Sequence, residues 1–158
     1  MIGGTGSGKS SLVNLIPGFY PATRGQVRVF GRDVKDWPAA ALRAKVGIVP
    51  QKAVLFRGTI RENLLWGRSD AGDDALWAAL VCAQAKDFVE QKEGALSAPV
   101  EQGGKNLSGG QKQRLTIARA LVRKPDILIL DDSASALDYA TDAKLRRAIR
   151  EMEGGPTV

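Results

Sequence analysis

Apolar and polar positions fall into blocks along the chain that predict short strands separated by helices. Val46–Val49 is predicted as a strand that ends at a proline. Ile127–Leu130 is continuously apolar, which is typical of a strand buried on both faces of a parallel sheet. Residues 26–34 alternate around a glycine-containing turn and predict a small strand pair.

Helices are predicted where apolar positions recur at helical spacing after a capping signal. Thr59–Glu62 and Ser108–Gln111 both have the spacing of a capping box. The helix after Ser108 must end before Pro125. It presents one apolar face, and its opposite, polar face consists of Lys112, Thr116, Arg119 and Arg123. Further helices are predicted over Ser10–Ile16, after a cap at Asp73 or Asp74, and around residues 145–152. Strands that alternate with helices indicate the α/β class.

Composition narrows the range of functions. The chain has 158 residues, the usual length of one domain. Its net charge of +6 fits a polyanionic partner, but does not distinguish between a nucleotide, a nucleic acid and a membrane surface. The longest apolar run, Ala75–Ala83, is about half of what a membrane-spanning helix needs. The single cysteine, Cys82, excludes an internal disulfide and fits a reducing compartment. Histidine is absent, which excludes a histidine general base or metal ligand.

A glycine-rich segment near the start predicts a phosphate-binding loop. Residues 3–10 read GGTGSGKS and match G-x-x-x-x-G-K-[ST] at the start of a helix. Glycines allow backbone N–H groups to surround phosphates, and the helix N-terminus adds partial positive charge. A lysine would reach the β- and γ-phosphates, and a serine hydroxyl would ligate Mg²⁺. The predicted nucleotide-binding residues are Gly3, Gly4, Thr5, Gly6, Ser7, Gly8, Lys9, Ser10 and Ser11.

Two carboxylates follow the apolar strand at 127–130. Asp131 and Asp132 would lie beside the phosphate loop, because ligands bind at the carboxyl ends of strands in open α/β sheets. We expect Asp131 to hold Mg²⁺ through water, and Asp132 to orient or deprotonate the attacking water.

Four further segments resemble those of ABC ATPases. Residues 107–114, LSGGQKQR, resemble the family's signature motif, and Ser108 lies 23 residues before Asp131. Gln51 after the 46–49 strand resembles the Q-loop, and Ser135–Asp138 resembles the D-loop. Residues 54–64 are similar to the exporter branch of the family, in which this domain is fused to a transmembrane half.

The resemblance implies a P-loop NTPase (RecA-like) core with a parallel sheet and an inserted ABC α-helical subdomain. Residues 1–60 and 111–158 would form the core, and residues 61–110 the helical subdomain that ends in the signature. The sheet is expected to be incomplete at both ends. The adenine-stacking aromatic and the switch histidine of the family would then fall outside the chain. We expect the chain alone to be poorly stable and to hydrolyse little ATP.

The resemblance also implies ATP and Mg²⁺ as ligands and a second ABC ATPase chain as partner. Two such domains would stack head to tail, so that one chain's phosphate loop and the other's signature enclose each ATP. The signature residues are Ser108, Gly109, Gly110 and Gln111. Lys9, Gln51 and Asp132 would be catalytic, while Ser10, Gln51 and Asp131 would serve the metal. Export would occur through a transmembrane domain of the same polypeptide, with this domain at the cytoplasmic face of the membrane.

Asp132 departs from the family, which usually has glutamate there. The aspartate side chain is one methylene shorter than that of glutamate. The site therefore resembles the impaired ATP site of heterodimeric exporters. We expect a hetero-partner that has glutamate at the position of Asp132. The alternative is a homodimer in which Asp132 suffices. The loop before the signature also departs, with Glu101-Gln102-Gly103-Gly104 in place of Gly-Glu-x-Gly.

Two other functions remain alternatives. One is a non-transport ABC ATPase that acts on nucleic acid, which the basic charge favours. The exporter-like 54–64 segment and the lack of coiled-coil heptads argue against it, so no nucleic-acid partner is expected. The other is an ATP-binding dimerisation module with little hydrolysis of its own. Trp66 and Trp77 are expected to pack the helical subdomain, in its core or at its rim, rather than to stack on a base. Arg119 is expected to lie on a solvated or interface surface.

Overall fold

The chain folds into short strands and helices that alternate along the sequence. The structure, a computed structural model, describes residues 7–132, 136–152 and 154–158. Within these residues the helices are α1 (Lys9–Val13), α2 (Ala39–Lys45), α3 (Ile60–Leu65), α4 (Asp73–Cys82), α5 (Lys86–Glu90), α6 (Gly109–Val122) and α7 (Tyr139–Glu151). The strands are β1 (Arg28–Val29), β2 (Arg32–Asp33), β3 (Val46–Val49), β4 (Gly58–Thr59), β5 (Pro99–Val100) and β6 (Ile127–Leu130). The α/β class is confirmed.

The central sheet is parallel and positions the candidate site. β3 pairs with β6 in parallel, with Val46 opposite Ile127 and Val49 opposite Leu130. Thr157 adds an isolated parallel bridge to Ile127. Because both strands run in the same direction, the residues that follow Val49 and Leu130 emerge at the same edge.

Two antiparallel pairs flank the central sheet. β1 and β2 form the hairpin predicted over residues 26–34, with Arg28 opposite Asp33. β4 pairs with β5 and brings the start of α3 against the segment before the signature.

The helix predicted over Ser10–Ile16 is shorter in the structure. α1 ends at Val13, and the chain then tightens into turns in which Leu15 and Ile16 donate to carbonyls three residues back. Pro17 and Gly18 follow directly, and neither residue favours a continued helix.

The main hydrophobic cluster lies around α6. This helix packs on α3, α4 and β3, and the cluster extends from Val49 to Ile149. It therefore includes residues from both the predicted core and the predicted helical subdomain. The division at 61–110 stays a prediction.

The predicted polar face of α6 is partly wrong. Thr116 is only 4% exposed, and its hydroxyl donates to the Lys112 carbonyl. Arg119 is half-buried and donates to the main-chain oxygens of Asn63 and Val54. Both side chains are covered because α3 and the segment before it pack against this face.

Among the described residues, no helix is long and apolar enough to cross a bilayer.

Candidate functional site

The described end of the predicted phosphate loop leads directly into α1. Gly8 lies at the N-cap with φ 81°, a left-handed conformation that glycine adopts without strain. Lys9, Ser10 and Ser11 then form the first turn of the helix, and Lys9 Nζ lies 3.3 Å from Ser7 Oγ. Gly3, Gly4, Thr5 and Gly6 lie outside the described residues, so their predicted role stays a prediction.

Ser10 and Asp131 meet although 121 residues separate them. Ser10 Oγ donates to Asp131 Oδ2 over 2.6 Å. The α1 start supplies the serine, and the end of β6 supplies the aspartate. The Asp131 main chain is fixed by its N–H, which donates to the Val49 carbonyl over 3.0 Å. Two of the three residues assigned to Mg²⁺ from sequence therefore lie in direct contact.

Gln51 and Asp132 form the second long-range contact of the site. Gln51 Nε2 donates to Asp132 Oδ2 over 3.0 Å. Asp132 has φ 49°, a left-handed backbone conformation that aspartate and asparagine tolerate better than other side chains.

A cavity of about 300 Å³ connects these groups. It is lined by Ser7, Gly8, Lys9, Ser10, Ser11, Gln51, Asp131 and Asp132. A larger cavity of about 760 Å³ lies between α2 and the turn after α3, lined in part by Trp66, Arg68 and Arg123. The smaller cavity is the better candidate for chemistry, because it alone of the two joins an amine, hydroxyls and two carboxylates.

The donor set of the smaller cavity fits a magnesium nucleotide. Ser10 and Asp131 offer hard oxygen ligands, and Lys9 offers a cation for phosphate. No cluster of three or more acidic, thiol or imidazole side chains occurs among residues 7–132, 136–152 and 154–158. Mg²⁺ keeps several waters and takes other oxygens from substrate phosphates, so a small number of protein oxygens suffices to hold it.

The signature segment opens α6 with a complete capping box. The Ser108 hydroxyl accepts from Gln111 N over 3.2 Å, and Gln111 Oε1 accepts from Ser108 N over 3.0 Å. Gly109 has open space where a Cβ would lie, and a Cβ on Gly110 would lie 3.3 Å from the Ala136 carbonyl. These four residues do not line the 300 Å³ cavity.

The described part of the D-loop leads into α7. Asp138 is its N-cap and accepts from Thr141 N over 2.9 Å and from Thr141 Oγ1 over 2.7 Å. These hydrogen bonds, first that of the hydroxyl, hold the pKa of Asp138 below its usual value. Ser135 lies outside the described residues.

Trp66 and Trp77 both pack against other side chains, Trp77 at the main cluster and Trp66 at the surface. Trp77 packs against the main cluster. Trp66 is 68% exposed and stacks on Phe56, with ring centroids 4.7 Å apart. It lies just beyond the end of α3, whose buried face is formed by Ile60, Asn63 and Leu64.

Comparison with known proteins agrees with the geometry. The family model described as "ABC transporter" matches residues 1–135. The ABC transporter ATP-binding protein YfiB of Bacillus subtilis is 48% identical over 149 residues, which are 94% of this chain and 26% of that protein. The beta-(1-->2)glucan export ATP-binding/permease protein NdvA of Rhodopseudomonas palustris is 42% identical over 157 residues, 99% of this chain and 26% of that protein.

A solved structure has the same fold. A bacterial Atm1-family ABC exporter with ATP bound matches with a TM-score of 0.91 and 36% identity, over 98% of this chain and 27% of that one. The chain thus spans about a quarter of the length of its relatives. The resemblance, the P-loop NTPase fold and the relation to exporters are confirmed, and the chain belongs to the ABC transporter family as an ATP-binding domain of the exporter type.

Proposed function

We propose that the chain binds Mg·ATP in the 300 Å³ cavity and hydrolyses it as one nucleotide-binding half of an exporter. The observation that carries this proposal is the 2.6 Å contact between Ser10 and Asp131. It joins the end of the phosphate loop to the acidic strand end, which is where a metal-bound triphosphate would need both. Lys9 would bind the β- and γ-phosphates from the same turn of α1.

Each remaining residue of the cavity has a role in the proposal. When bound, Mg²⁺ neutralises charge on the phosphates, and Ser10, Asp131 and Gln51 would hold it. Asp132 would orient the attacking water and accept its proton. Gln51 keeps the Asp132 carboxylate in place over 3.0 Å.

We infer that the signature serves a second chain. The N-terminus of α6 can bind an anion and lies away from the cavity; it is formed by Ser108, Gly109, Gly110 and Gln111. This arrangement supports a head-to-tail pair of chains that encloses two nucleotides. The shorter Asp132 supports a hetero-partner with glutamate at the matching position. The similarity of the chain to ATP-binding/permease proteins supports a transmembrane domain in the same polypeptide, with this domain at the cytoplasmic face. No nucleic-acid partner is proposed.

The Mg²⁺ dependence of ATP binding by the full-length protein tests the proposal. Ser10→Ala and Asp131→Asn should each lower the affinity for Mg²⁺ in the presence of ATP by about 10–100-fold. Asp126→Asn is the matched control, because Asp126 precedes the other end of β6 and pairs with Lys45 on the surface. Unchanged Mg²⁺ dependence in both site variants would contradict the assignment.

A further inference from the structure

Arg119, in the last turns of α6, binds the segment that follows Gln51 through three hydrogen bonds. Its Nη1 donates to the Val54 carbonyl over 3.0 Å, and its Nε donates to the Asn63 carbonyl over 2.8 Å. Its Nη2 donates to Asn63 Oδ1 over 2.9 Å. The planar guanidinium thereby joins both ends of the segment 54–63 to one helix.

Asn63 closes the same segment on itself. Its side chain is 2% exposed, and its Oδ1 also accepts from Phe56 N over 2.9 Å. Its Nδ2 donates to the carbonyls of Phe56 and Thr59, each over 2.9 Å. Every polar atom of this buried amide is satisfied, so the loop and the guanidinium form one connected network.

The network also supports the exposed aromatic pair. The Arg119 guanidinium lies 5.5 Å from the ring centroid of Phe56, which in turn stacks on Trp66. Beyond Trp66 the main chain packs against the same turn of α6, since a Cβ on Gly67 would lie 2.1 Å from the Arg119 carbonyl. Residues 54–67 are thus fastened to α6 on both sides of the aromatic pair.

The charge of Arg119 is costly where it lies. Burial is the cause that lowers the pKa of Arg119 from its usual value, and the oxygens that it binds in the described residues are all neutral. An apolar residue here would leave the carbonyls of Val54 and Asn63 without this donor. The guanidinium thus fixes both ends of the segment 54–63 at the expense of its own desolvation.

We propose that Arg119 is a positioning residue that makes residues 54–67 move with α6 when nucleotide binds. The inference rests on the proposed function, in which the Ser108 end of α6 meets the nucleotide of a second chain. α6 has 14 residues and so measures about 21 Å. A displacement at its signature end can reach the Phe56–Trp66 surface by two routes, the pairing of β4 with β5 and the three hydrogen bonds that Arg119 makes near the other end of the helix.

Hydrogen exchange of the full-length protein, with and without Mg²⁺ and a non-hydrolysable ATP analogue, tests this proposal. In the wild type, the analogue should slow exchange in residues 7–13 and change exchange in residues 54–67. In Arg119→Lys, the first response should be retained and the second reduced at least about threefold, because one ammonium cannot span the three acceptors. Arg119→Met, which keeps the packing of the stem without a buried charge, should behave likewise.

Arg123→Lys is the matched control, since Arg123 lies one turn further on and is exposed; it should respond as the wild type does. The proposal is overturned if Arg119→Lys and Arg119→Met keep the full response at 54–67. It is also overturned if both variants lose the response at 7–13 to the same degree, which would indicate a merely structural role. Absence of the 7–13 response in the wild type itself would instead contradict the proposed nucleotide site.

Discussion

Gln51 and Asp132 occupy equivalent positions two residues beyond the ends of paired strands, and their side chains are joined by a 3.0 Å hydrogen bond. The parallel register that pairs Val49 with Leu130 produces this contact. Because the two strands end side by side, the residues two positions beyond each strand lie at the same edge of the sheet. The residue proposed to orient water is therefore held by the sheet itself and by a neighbouring amide.

The first prediction concerns the length of the Asp132 side chain. Asp132→Glu should raise single-turnover ATP hydrolysis at this site by about tenfold or more, because misplacement of a catalytic group by about 1 Å can cost a hundredfold in rate. The same change should lower local stability by about 1 kcal/mol, since glutamate tolerates the φ of 49° less well than aspartate. Single-turnover assays of the full-length protein with its natural partner measure the rate.

Asp132→Asn is the control for this measurement. It keeps the size and the backbone preference but removes the proton acceptor, so hydrolysis should fall while ATP binding persists. An unaltered rate in Asp132→Glu would count against the geometric argument and favour a homodimer in which aspartate suffices.

The second prediction separates capping from nucleotide contact. Ser108→Ala and Thr59→Ala each remove the hydroxyl of a complete capping box, so each should destabilise its helix by about 1 kcal/mol. Only Ser108→Ala should also slow ATP turnover, because only Ser108 is proposed to face a partner's nucleotide. Equal turnover in the two variants, measured at saturating ATP, would refute a role of Ser108 beyond the cap.

The third prediction tests the packing of Gly67 on α6. Gly67→Ala should destabilise the contact between α3 and α6 by about 1–3 kcal/mol, because its Cβ would lie 2.1 Å from the Arg119 carbonyl. Gly72→Ser is the control: Gly72 is the N-cap of α4, no atom lies within 4 Å of a Cβ there, and serine is a favoured cap. Hydrogen exchange of the amides in α3 and α6 measures the stability of this contact in both variants. Equal protection in Gly67→Ala and Gly72→Ser would disprove the close approach of Gly67 to the Arg119 carbonyl.

The fourth prediction concerns the reactivity of Cys82. Burial raises the pKa of its thiol from 9.0 to about 11, and its Sγ lies 3.5 Å from Met152 Sδ. A raised pKa favours the neutral thiol, so the associated stability is present below pH 9 and is lost as the pH rises through about 11. At pH 8 the thiolate fraction should be about a hundredfold lower than in the denatured chain. Alkylation rates from pH 8 to 11 measure this difference, and equal rates in native and denatured protein would contradict it.

Much of the site could be predicted from sequence because its signals are local. A buried strand that ends in Asp131-Asp132 and a strand that ends before Gln51 already place these side chains at one sheet edge. The capping boxes at Thr59 and Ser108 are likewise set by residues three apart, and both occur as predicted.

The environments of Arg119 and Trp66 could not be predicted in the same way. Helical periodicity assigns Arg119 to a polar face, but the segment 54–63 folds over that face and supplies the oxygens that the guanidinium binds. Trp66 is exposed because α3 ends one residue earlier and its buried face ends with Leu64. Both outcomes depend on tertiary contacts that no local pattern encodes.

ATP hydrolysis by Lys9→Met in the full-length protein tests the central claim most directly, with Lys52→Met as the control. Lys9 lines the cavity, whereas Lys52 is exposed and does not line it. Loss of one positioned cation should slow hydrolysis by about 10³-fold, while Lys52→Met should hydrolyse ATP as the wild type does. Wild-type turnover in Lys9→Met would contradict the placement of the triphosphate at the start of α1.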